Sequence, residues 1–142
     1  MYTTNAPAAE TTTGLADRPG FLRNVLLLDA ATCVACGVLM SAGSKLVAGI
    51  TLLPAGLLLS AGLSLFPIAA FVAFVATRAG VWRLGVWLAI LGNAGWVLGS
   101  LWLLLSGAVA PNALGNTFVI VQALVVAAVA WLEVMGVRRV RG

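Results

Sequence analysis

Histidine is absent from this chain of 142 residues, and with it goes the commonest general base, proton shuttle and metal ligand among side chains. Charge is also scarce: charged residues make up 8% of the chain, hydrophobic ones 62%. A water-soluble domain does not cover its surface with so little charge, so lipid is the expected solvent. Two cysteines, Cys33 and Cys36, are too few for a disulfide framework, and without histidine or further thiols they fall short of a zinc site. No metal and no cofactor are expected. No set of nucleophile, base and oxyanion donors is visible, which reads as a non-enzymatic chain. The net charge of +4 does not point to nucleic acid, because the basic residues sit at the ends of apolar runs instead of forming one patch.

What the chain has in abundance is apolar sequence of membrane-spanning length. Four runs, at about 22–40, 55–77, 84–105 and 113–135, predict an all-α fold, an integral membrane four-helix transmembrane bundle. At 1.5 Å per residue the first covers roughly 28 Å, close to the hydrocarbon thickness. Residues 1–20 lack hydrophobic periodicity and read as a disordered tail. They also lack a basic segment ahead of an apolar core, so the first span is expected to serve as its own insertion signal. Residues 41–54 hold an apolar run too short to span, which predicts a loop with an interfacial or re-entrant helical piece. The short connector 78–83 makes the second and third spans antiparallel neighbours, and 138–142 form a basic tail.

Orientation follows from the flanking charges. Arg18, Arg23, Arg78, Arg83, Arg138, Arg139 and Arg141 fall on one side and Lys45 alone on the other, which predicts that the N and C termini both face the cytoplasm. Trp82, Trp102 and Trp131 lie near span ends, where aromatic belts form, while Trp87 and Trp96 lie deeper, as packing residues.

Within the spans, Asp29 is the costliest residue, since a carboxylate near a helix centre is worth about 2.5–3.5 kcal/mol against insertion. It shares a helical stripe with Cys33, Cys36 and Met40, with Gly37 beside it. Gln122 and Glu133 share a face of the fourth span, and Asn93, Trp96 and Ser100 a stripe of the third. Counting depth from the arginine-rich ends predicts an intramembrane cluster of Asp29, Glu133, Arg83 and Arg78, with Asn93 above it and Gln122 toward the outer leaflet. Gly92, Gly95 and Gly99, together with Cys33, Cys36 and Gly37, are expected to pack helices inside the bundle, with dimerisation through Gly95 and Gly99 as the alternative. Pro67 removes a backbone donor in the second span, with Ser64 placed to satisfy the freed carbonyl.

The stretches LRNVLLLDA (22–30) and NAGW (93–96), with Gln122-Ala123, Leu132-Glu133 and the 136–139 segment, resemble a group of small bacterial four-span inner-membrane proteins. The resemblance implies a multi-pass protein of the bacterial inner (plasma) membrane and no particular activity. A fold-level likeness to small multidrug exporters rests on four helices and a carboxylate in the first. The leading expectation is a small accessory or scaffold subunit of a membrane complex, its partners being the lipid bilayer and a larger membrane protein or a second copy. The alternative is a small proton- or ion-coupled transporter or channel using Asp29 and Glu133. The third is a membrane thiol oxidoreductase using Cys33 and Cys36, disfavoured because four-span thiol oxidases relay electrons through a second cysteine pair.

Overall fold

A computed structural model describes residues 20–140; the calls on the tails at 1–19 and 141–142 lie outside the described residues. The described residues form five helices, α1 (Phe21–Ala42), α2 (Ser44–Thr51), α3 (Ala55–Thr77), α4 (Arg83–Leu105) and α5 (Ala113–Arg139). In lipid every backbone polar group must find a partner within the protein, and a helix does this within one segment. Four of the five, all but α2, are long and apolar enough to cross a membrane. The fold is that of a multi-pass membrane protein.

The short α2 occupies the segment read as interfacial or re-entrant. It ends at Leu52, whose φ of 58° turns the chain back. Asn112 fastens this turn to the start of α5: its side chain accepts from Gly115 N at 2.9 Å, capping the helix, while its Nδ2 donates to Ile50 O at 2.8 Å and its N to Thr51 O at 3.1 Å. One asparagine thus satisfies the end of one helix and the beginning of another.

The spanning helices pair as α1 on α3 and α4 on α5, and the pairs join along α1–α5 and, less closely, α3–α4. On α3 the buried positions Leu58, Gly62, Leu65, Ala69, Val72 and Ala76 recur at alternating four- and three-residue spacing, the seam of two closely packed helices. Gly62 sets the closest approach. A Cβ there would sit 2.7 Å from Ser41 N and 2.9 Å from the Met40 carbonyl carbon, and one at Gly37 would sit 3.1 Å from Gly62 O. These neighbours are backbone and cannot swing aside. Gly62→Ala is therefore expected to destabilise the protein by about 1–3 kcal/mol, read as a lower unfolding midpoint in detergent. Gly95→Ala and Gly99→Ala, with open space for the added methyl, should not lower the midpoint.

That contrast corrects the expectation for Gly92, Gly95 and Gly99. Nothing lies within 4 Å of a Cβ built at any of the three, so they do not pack helices in the bundle. Small residues spaced four apart mark a smooth face without saying which way it turns, and here the close crossing uses Gly37 and Gly62. Ser64 likewise donates to Ala61 O at 2.7 Å rather than to the carbonyl freed by Pro67, and α3 runs unbroken through the proline. Trp87, expected to pack, is exposed.

The interior divides into two apolar clusters. One, at the arginine-rich end, includes Leu22, Leu26, Val72, Val86 and Val137. The other, toward α2, includes Cys33, Met40, Leu58, Leu65 and Val119. Buried polar side chains lie between them.

Candidate functional site

Asp29, Asn93 and Glu133 come from α1, α4 and α5, and are 2%, 6% and 0% exposed. By helical rise each lies roughly 9–15 Å in from the arginine-rich end of its own helix, so three separate spans deliver their polar groups to one level. Asn93 Nδ2 donates to Asp29 Oδ2 at 3.1 Å and to Glu133 Oε2 at 3.3 Å. An amide nitrogen carries two hydrogens, and here each faces one carboxylate. α1 and α4 make no close backbone contact, so the Asn93–Asp29 bond reaches across the bundle interior.

The carboxyl groups of Asp29 and Glu133 also face each other within hydrogen-bonding reach. Cys33 Sγ, one turn along α1, stands 3.9 Å from Asp29 Oδ1 as a weak donor. Glu133 Oε1 is buried with no hydrogen-bond partner. A contact between two carboxyl groups becomes a hydrogen bond only when one carries a proton, and an unmet carboxyl oxygen in an apolar interior is costly.

Two predicted members are not in this group. The Arg78 guanidinium lies over the rings of Phe74 and Trp82, 5.1 and 5.9 Å from their centroids, and Arg83 is exposed. Both arginines sit at helix boundaries, too shallow to reach carboxylates two turns deeper, and a guanidinium is cheaper to keep at the interface than to desolvate. Among the described residues no basic side chain touches either carboxylate. The expected ion-pair network is replaced by a pair of acids sharing one neutral amide.

Beside the group is a cavity of about 580 Å³ that extends toward α2. Asp29 and Asn93 lie in its lining, as do Cys33 and Cys36, the aromatic rings of Trp96 and Phe118, and Gln122. Gln122 therefore belongs to the cavity and makes no hydrogen bond to the acids. The hydroxyls of Thr32, Thr51 and Thr117 are turned to their own helices, donating to Asp29 O, Val47 O and Ala113 O. Cys33 and Cys36 are free thiols, one buried and one half-buried, Cys33 within the packed interior beside Gly37. Among the described residues no group of three or more His, Cys, Asp or Glu is placed to hold a metal ion.

The aromatic cavity wall was not anticipated from the sequence. Its signal was the coincidence of Trp96 one turn from Asn93 with Phe118 one turn from Gln122, on helices that the fold sets side by side. Compared with protein-family models, curated proteins and solved structures, the chain matches none.

Proposed function

We propose that this multi-pass membrane protein is a small carrier whose Asp29–Glu133 pair takes up and releases a cation, a proton in the resting state, at the base of the cavity. The observation that carries the reading is the pair itself: two fully buried carboxyl groups joined through one amide and, among the described residues, to no basic side chain. Two carboxylates so placed in lipid do not both hold charge without a positive partner between them. An accessory or scaffold subunit would use buried polar groups as mutually satisfied register contacts, and the unmet Glu133 oxygen fits that role poorly. A thiol oxidoreductase would need an electron relay beyond Cys33 and Cys36. The arginine distribution supports a topology with the acids in the cytoplasmic half of a bacterial inner membrane.

The test is infrared difference spectroscopy of the full chain in lipid between acid and alkaline buffer. A carboxyl C=O band should appear on acidification and be reduced in Asp29→Asn. An unchanged band in that variant, or no titrating band in the wild type beyond that of Glu10 and Asp17, overturns the proposal.

A further inference from the structure

The cavity next to the acid pair has a composition that selects its occupant. Its polar lining carries the Asp29 carboxylate and, among the described residues, no basic side chain; the Gln122 amide and the Trp96 indole are its uncommitted donors. Asn93 has committed both its N–H groups to the acids, which leaves its Oδ1 without a protein donor among the described residues. The threonine hydroxyls nearby already donate to backbone carbonyls. The rest of the lining is mostly aliphatic or aromatic, with Trp96 and Phe118 supplying π faces. A volume of about 580 Å³ lies within the range for small organic ligands, roughly 300–1,000 Å³.

The entrance is lateral. Ala35 on α1, with Thr117, Val121 and Val125 on α5, belong to the lining and are exposed, as are Ile68 on α3 and Gly92 on α4. α1 and α5 close on each other at the arginine-rich end, where Gly136 packs on Leu22. At the opposite end the α2 turn is fastened to α5 by Asn112. Between these closures the gap faces the apolar exterior that four spanning helices present to lipid.

We propose that this cavity binds a hydrophobic amine that enters from the bilayer between α1 and α5. The ammonium group sits on Asp29 and Asn93 Oδ1, and the apolar body lies against Trp96 and Phe118. The ammonium supplies the positive charge that the lining lacks, and aromatic faces favour a cation nearby. This rests on the reading of the acid pair as a cation-exchanging site: proton and ammonium compete for the same carboxylates. The ionisable groups concerned are few. α1 contributes Asp29, Cys33 and Cys36, α5 contributes Glu133 through its contact with Asp29, and the parts of α2, α3 and α4 that line the cavity bring none.

The experiment is calorimetric titration of the detergent-purified full chain with phenylbutylamine, using phenylbutanol as the neutral counterpart. The amine should bind saturably at one site, more weakly as pH is lowered and protons occupy the pair. The alcohol should bind at least about tenfold more weakly. Asp29→Asn should reduce amine affinity by a similar factor, and Val121→Trp, a change at an exposed position that leaves the acids untouched, should block entry. Equal binding of amine and alcohol, or unchanged amine affinity in Asp29→Asn, overturns the amine assignment. Unchanged binding kinetics in Val121→Trp overturns the lateral entrance. If the amine fails to bind while the titrating carboxyl band is present, the ligand assignment falls and the proton-exchanging pair stands; loss of both removes the whole reading.

Discussion

Asn93→Asp is expected to cost the protein its stable fold at neutral pH. The replacement is nearly the same size and shape, so packing against α1 and α5 changes little and the effect is electrostatic. Asn93 Nδ2 is the donor for both Asp29 Oδ2 and Glu133 Oε2. The substitution removes that donor and adds a third acid where, among the described residues, no basic side chain is present. Leaving buried charge uncompensated costs about 3–5 kcal/mol, a large share of the stability of a small protein. The sign with pH is opposite to that of acid denaturation. A protonated carboxyl is itself a donor, so the folded variant gains by binding protons and its stability should return as pH falls. Chemical denaturation in detergent, followed by helicity at neutral and acid pH, checks this. A variant as stable as wild type at neutral pH would mean that the amide does not hold the acids together.

Much of this architecture is legible from composition and run length. The spans read at about 55–77 and 84–105 coincide with α3 and α4 to within a residue, because lipid allows an apolar segment little choice but a helix. The meeting of Asp29, Asn93 and Glu133 is also legible in outline, since antiparallel spans measured from one membrane face set depth without knowledge of packing. What sequence does not supply is rotation about each helix axis. Gly95 and Gly99 face away from the bundle and Gly92 borders the cavity, while Gly37 and Gly62 make the tight crossing. Burial of those two depends on which faces α1 and α3 turn to each other, a property of the pair. Reach is the second gap: Arg78 and Arg83 share the correct side with the acids, yet their charges stay near the interface, where Arg78 finds Phe74 and Trp82. Charge sign and approximate depth suggested an ion-pair network; the cost of burying a guanidinium favours an acid pair without one.

Glu133→Gln separates a structural role for this pair from a functional one, because the two roles call for opposite outcomes. Glu133 Oε1 has no partner, while Oε2 accepts from Asn93. Glutamine keeps an oxygen for Asn93 and places an N–H₂ where the unmet oxygen was. The site then has two amides and one acid in place of one amide and two acids. The expected result is a protein about 1 kcal/mol more stable, the scale of a hydrogen bond gained inside a membrane bundle. The same change removes one of the two proton-accepting groups, so the carboxyl band that responds to pH should shrink, and the pH dependence of amine binding should flatten. Higher stability with lost exchange is the signature of a site kept strained for its chemistry. A lower unfolding midpoint in Glu133→Gln, with the pH response of the remaining carboxyl intact, would instead make the pair a contact that holds α5 in register against α1 and α4.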